Sequence, residues 1–153
     1  MDFSRLAYIK NINDDRDWAY KEYPVGAYFP LTFKRGDGVE AHALNLPKGA
    51  LVILSQRPPT INRRYLTHVI EICNNADEDK PQWASDAWGI IRWAKVCWVA
   101  NFQDSDKIPV DKDVMQAEWG WFDTKAKLLT GKNLTEKWGD IDKLKTHLQS
   151  VFI

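Results

Sequence analysis

The feature that most constrains this chain is an order: four apolar, β-rich runs come first, and one run of helical period comes last. Leu6–Ile12, Tyr28–Lys34, residues 50–56 and residues 65–73 are short and bounded by turn residues, as strands are. At the other end Trp138, Ile141, Leu144, Leu148, Val151 and Phe152 recur every three or four residues, which predicts a C-terminal amphipathic helix with Asp140 as its N-cap. Residues 90–102 are apolar almost without interruption, so period does not separate strand from helix there. The β-branched and aromatic residues favour a strand. Four or five strands before a terminal helix, with little alternation of the two, describe an α+β fold or a small, partly closed β-barrel with flanking helices.

Turn chemistry divides these runs. Asn13-Asp14-Asp15 offers short side chains that bond orphan N–H groups, and a short helix is expected over 16–22, stopped before Pro24. Pro30 marks its strand as an edge or a bend. Gly36-Asp37-Gly38 and Pro47-Lys48-Gly49 are turns, and Arg57-Pro58-Pro59 opens a loop that carries Arg57, Arg63 and Arg64. Residues 65–73 read as a simple alternation, with Leu66, His68, Ile70 and Ile72 on one face. Residues 74–82 form a polar loop, and 114–122 a short helix or turn. With no repeat, low-complexity tract or linker, residues 1–153 are expected to form a single domain.

Composition removes several classes. There are 21 basic and 21 acidic residues, so bulk positive charge does not hold this chain to nucleic acid, although a local basic patch remains open. Residues 1–5 lack the basic start and apolar core of a signal peptide, and no apolar run nears the ~20 residues that span a bilayer. The expectation is a cytoplasmic protein without membrane contact. Cys73 and Cys97 lie in apolar runs, where a thiol behaves as a small hydrophobe.

The search for catalysis is mostly negative. The sequence has no phosphate-cradling glycine loop, no Gly-x-Ser-x-Gly elbow and no His-Glu-x-x-His pair. His68 reads as a hydrogen-bonded core residue, His147 as exposed, and Cys73 sits on the opposite strand face from His68. The expectation is a binding module rather than an enzyme, with neither cofactor nor metal.

Tryptophan is the unusual component: eight occur, several times ordinary usage. Such an excess means a heavily aromatic core or aromatic walls around a flat ligand. Beside the aromatics lie Lys34-Arg35, Arg57, Arg63-Arg64 and Arg92. Cations hold phosphates and flat rings stack on bases, so the combination suits a single-stranded or extruded base.

The order of segments also carries a resemblance. An opening strand is followed by Trp18; Lys48-Gly49-Ala50 leads into Leu-Val-Ile-Leu-Ser55; Tyr65-Leu-Thr-His-Val-Ile-Glu71 follows. Arg92-Trp-Ala-Lys-Val-Cys-Trp98 runs on to Ile108-Pro109, and the Trp138…Leu148 helix closes the series. In this the chain resembles the PUA-like superfamily, and within it the EVE and YTH branch. It departs from that pattern in a longer stretch over 26–46 and in Gly49-Ala50, where Gly-Asp is usual.

The resemblance implies a nucleic-acid-binding module that holds a modified base, methylated in the first instance, in an aromatic cage after base flipping. It implies modified DNA ahead of RNA, and a sensor role in modification-dependent restriction beside an associated nuclease. Tryptophans in expected loops or at strand ends are the cage candidates: Trp18, Trp83, Trp88 and Trp121. Arg57, Arg63, Arg64 and Arg92 are the candidate backbone contacts, while Trp93, Trp98 and Trp138 are assigned to the core. Two alternatives stand beside it. One is a protein–protein interaction module using exposed aromatics; the other is a small metal-dependent hydrolase using Glu118 and Asp123.

Overall fold

The computed structural model describes residues 1–13, 17–34, 38–58, 60–75, 88–116 and 125–153. In chain order the elements are β1 (Leu6–Ile12), β2 (Tyr28–Lys34), α1 (Val39–Asn45), β3 (Leu51–Gln56), β4 (Tyr65–Ile72), β5 (Trp88–Val99), α2 (Asp111–Met115), β6 (Ala126–Leu128), α3 (Lys132–Trp138) and α4 (Ile141–Val151). The six strands form one sheet in the order β2-β5-β4-β3-β1-β6. Only β1 and β3 pair in parallel; the other neighbours are antiparallel. The class is α+β, and the sheet is a partly closed barrel.

Two observations show how far the sheet curls. Helix α1 packs against β2, β5 and β6, so it touches both edge strands at once. The Lys10 ammonium on β1 lies 4.7 Å from the centre of the Phe33 ring on β2. Four strand spacings separate β1 from β2 along the sheet, about 19 Å if it were flat. The edges therefore bend toward each other, and α1 fills the gap between them. Pro30 lies on edge strand β2, where its missing N–H costs no ladder bond on the open side.

Both faces of the sheet are buried. Phe29, Leu31 and Phe33 of β2 pack inside with Val52, Leu54, Ile70, Ile72, Ala94 and Val96, closed by Val39 and Ala43 of α1 and by Leu46 just after it. Leu6, Ile9, Leu51, Ile53, Leu66 and Val69 face outward against Val114, Met115, Leu134, Leu144, Leu148 and Phe152. Strand β3 alternates between the two cores, which is why its sequence is continuously apolar. Burying each such Leu or Ile contributes roughly 1.5–3 kcal/mol.

Local structure departs from simple periodicity at three places. In β4, Leu54 pairs with His68 but Ser55 pairs with Leu66, so Thr67 is an extra residue. This bulge puts Leu66 with Val69 in the outer core while Ile70 and Ile72 face inward, which breaks the expected single alternation. Residues 17–23 form turns rather than the short helix expected over 16–22. The C-terminal apolar period spans two helices, because Gly139 at φ +84° separates α3 from α4. Asp140 caps α4, its Oδ1 accepting from the Lys143 N–H at 2.8 Å. Among the described residues no helix is long and apolar enough to cross a membrane.

Candidate nucleic-acid interface

The turn at residues 17–23 is fastened to the sheet by a chain of buried hydrogen bonds. Gln56, at the end of β3 and almost wholly buried, accepts from the Ala19 N–H at 2.8 Å and donates to the Ala19 carbonyl at 3.2 Å. Its amide also donates to the Thr67 hydroxyl at 2.7 Å, and that hydroxyl lies 2.9 Å from His68 Nδ1. His68 Nε2 lies 3.3 Å from the Tyr20 carbonyl.

A carbonyl can only accept, so Nε2 carries the proton and Nδ1 accepts from Thr67. Every group in the chain then has a role compatible with its neighbours. Burial lowers the His68 pKa from 6.5 to about 4, with the Tyr20 carbonyl pulling the other way. The bulge at Thr67 allows Thr67 and His68 to join this network in succession. Tyr20 is in the left-handed region at φ +61°, a strained backbone held by the His68 bond and by packing of its ring 4.3 Å from that of Phe29.

The fastened turn carries Trp18. Its ring meets Tyr65 edge-on at 5.5 Å and Phe102 at 5.4 Å, with His68 5.7 Å from Phe102 on the far side. Trp18 is half-buried, so part of the indole is supported and part is open. Such pairs hold a ring rigidly, and a preorganised ring loses little entropy when a flat ligand stacks on it.

The arginine loop begins and ends at this platform. Arg57 follows Gln56 directly, and Arg64 precedes Tyr65. Arg57 and Arg63 are exposed. Arg64 is half-buried: it donates from Nε to Ser55 Oγ at 3.2 Å and from Nη2 to the Ser55 carbonyl at 3.3 Å. Ser55 Oγ in turn donates to the buried Asp111 carboxylate at 3.0 Å, and the Arg64 carbonyl accepts from Asp111 N at 2.8 Å. Burial draws the Arg64 pKa down, partly offset by the Asp111 charge. Arg64 therefore fastens the loop, and Arg57 and Arg63 are the cations it presents.

Other expected site residues lie elsewhere. Arg92 is wholly buried, its guanidinium donating to the Ala43 and Leu46 carbonyls, each at 2.7 Å, and to the Asn74 carbonyl. It ties α1 to β5 from within and does not stand at the surface to meet a phosphate. Trp88 opens β5, its backbone paired with Lys34, whereas Trp18 packs beyond the other end of that strand. A 12-residue strand spans up to about 36 Å, so the Trp88 backbone stands at the end of β5 away from the Trp18 ring. Trp83, Trp121, Glu118 and Asp123 lie outside the described residues.

Among the tryptophans assigned to the core, Trp98 packs 4.7 Å from Phe152, and Trp138 donates to the Met115 carbonyl at 2.8 Å. Trp93 is half-buried and is the cross-strand partner of Pro30. His147 is half-buried, its ring 4.8 Å from that of Trp138, rather than exposed. Cys73 and Cys97 are free thiols whose pKa values burial raises, which makes them poor nucleophiles. No group of three His, Cys, Asp or Glu placed to hold a metal occurs among the described residues.

Gln56, Thr67, Tyr20 and Phe102 are site residues that the sequence did not single out. Each is an ordinary residue in an ordinary run, and only strand register and the bulge give it a role. No protein-family model, no curated protein and no solved structure matches the chain.

Proposed function

We propose that this chain is a nucleic-acid-binding module that stacks a single-stranded or extruded base on Trp18 and grips the adjoining backbone with Arg57 and Arg63. The observation that carries this reading is the doubled Gln56–Ala19 hydrogen bond, which fastens the aromatic turn to the residue from which the basic loop departs. Rings and exposed cations thus share one support, and a strand needs both together. Overall neutrality fits: a local pair of arginines gives modest, salt-sensitive grip, and stacking supplies the remainder.

The finer proposal is a reader of a modified base with a PUA-like, EVE-type architecture, working as the sensor of a modification-dependent restriction system. An added methyl gains about 1 kcal/mol from a close aromatic wall. The half-buried Trp18 supplies that wall, backed by its ring contacts with Tyr65 and Phe102. The test is fluorescence titration of the chain with methylated and unmodified oligonucleotides, single- and double-stranded, at two salt concentrations. Saturable quenching that weakens with salt and is stronger for the methylated strand supports the reading. Absence of quenching at low salt removes it.

One observation favours a protein-interaction module instead. Tyr28 is 58% exposed on edge strand β2, beside Pro30 and the half-buried Trp93. A partner protein would find aromatic anchors there. Oligonucleotide binding that survives Tyr28→Ala and Trp93→Ala separates that face from the Trp18 platform.

A further inference from the structure

At the other edge of the barrel, α1, β1, β6 and α3 border an open cleft of about 480 Å³, lined by Tyr8, His42, Asn45, Leu128, Lys132 and Leu134 among others. That volume falls within the range of small-molecule sites. Its chemistry is uneven. Tyr8, Leu128 and Leu134 give an aromatic and apolar wall, Lys127 and Lys132 are its basic lining residues, and among the described residues none that lines the cleft is a carboxylate. His42 Nδ1 is 3.0 Å from the Ala126 carbonyl, which can only accept, so Nδ1 carries a proton and Nε2 is the ring's remaining polar atom. Lys132 is 85% exposed at its side chain and only loosely paired with Glu136, at 3.8 Å, so it is able to turn toward an anion. In a chain of zero net charge, two lysines and no carboxylate among the described lining residues are a local property of this place.

We propose that this cleft binds a phosphomonoester carried on a flat, apolar body, with Lys132 and His42 at the phosphate and Tyr8, Leu128 and Leu134 against the body. An ammonium suits phosphate oxygens, the unprotonated His42 Nε2 accepts from the hydroxyl of a singly ionised phosphate, and a phenol ring with two leucines suits a base or another flat group. The proposal is independent of the Trp18 platform, none of whose residues lines the cleft. The same chemistry is offered by a free nucleotide and by the 5′ end of a strand.

The experiment is NMR titration of the labelled full chain with adenosine 5′-monophosphate, with adenosine, and with a short oligonucleotide bearing either a 5′-phosphate or a 5′-hydroxyl. The monophosphate is expected to give saturable shifts at the Asn45, Leu128, Gly131 and Lys132 amides, with adenosine at least about tenfold weaker. Lys132→Ala is expected to weaken the monophosphate about tenfold without changing the melting temperature, because the side chain is exposed. His42→Asn, which keeps a donor for the Ala126 carbonyl and removes Nε2, is expected to weaken it likewise. A 5′-phosphorylated strand that binds as the monophosphate does assigns a strand end, and one that fails assigns a free nucleotide; both uphold the site. Equal binding of adenosine and its monophosphate, no saturable shift at these amides, or undiminished binding by both variants overturns it. Loss of oligonucleotide binding on Trp18→Ala with these shifts intact would leave the cleft standing on its own.

Discussion

Gln56 holds Ala19 by both of its backbone groups, accepting from the N–H at 2.8 Å and donating to the carbonyl at 3.2 Å. A side-chain amide used in this way imitates a strand neighbour. It extends the ladder at the end of β3 to a turn that otherwise has no strand to pair with.

Removing that imitation leaves the Ala19 N–H and carbonyl without their partner, and Thr67 without its donor. Gln56→Ala is expected to destabilise the fold by about 1–3 kcal/mol, the range for orphaned buried polar groups. Urea unfolding measures the loss, and amide exchange at residues 17–23 is expected to accelerate beyond what the global change explains. Gln56→Glu separates charge from shape: it keeps the acceptor for Ala19 N and removes the donor to Thr67.

His68 gives the same turn a pH dependence. Its pKa is about 4 in the folded chain against 6.5 in the unfolded one, so the unfolded state takes up the proton first as pH falls. Stability is whole above about pH 6.5, declines as pH drops toward 4, and loses about 3 kcal/mol in all from this group. Protonation also places a second N–H at Nδ1, where the Thr67 hydroxyl donates. Denaturant unfolding from pH 7 to pH 4 measures the decline. His68→Gln, which cannot titrate there, is expected to flatten the part of that slope belonging to the histidine.

Arg92 and Arg63 are expected to part company under mutation. Arg92→Met empties a guanidinium site that joins β5 to two carbonyls of the α1 segment, leaving buried acceptors unpaired. A loss of about 3 kcal/mol or more is expected, the scale for breaking a buried charged network. Arg63→Ala changes an exposed side chain and is expected to shift stability by less than about 0.5 kcal/mol. Thermal unfolding of the two variants side by side checks the contrast.

How much of this was legible in the sequence follows from how local each feature is. β1 and β2 have the bounds their residues announce, and Asp140 caps α4, because a turn residue beside a periodic run acts within a few positions. Other features depend on distant partners. Arg92 looked like surface charge beside aromatics, and nothing in its neighbours says that α1 would offer it two carbonyls. Trp18 sits in a turn and Trp88 at a strand boundary, but only the length of β5 shows their backbones to be at opposite ends. The split at Gly139 was hidden because α3 and α4 press apolar residues onto the same outer core, so the spacing runs through the break. The hydrogen-bond chain that fastens residues 17–23 was hidden for another reason: Gln56, Thr67 and His68 come into line only through a one-residue bulge.

The central claim is that an aromatic turn and a basic loop act as one nucleic-acid surface, and a double perturbation tests it most directly. Affinity for methylated and unmodified single strands is measured across a salt series for wild type, Arg57→Ala/Arg63→Ala and Trp18→Ala. Arg64 is left in place because it anchors the loop through Ser55. The arginine pair is expected to weaken both strands alike and to flatten the slope of log K against log salt by up to about two units. Trp18→Ala is expected to keep the slope and lose about 1–3 kcal/mol of stacking, with most of the preference for the methylated base. Wild-type affinity and slope in the arginine variant, together with an unchanged preference in Trp18→Ala, would contradict the account.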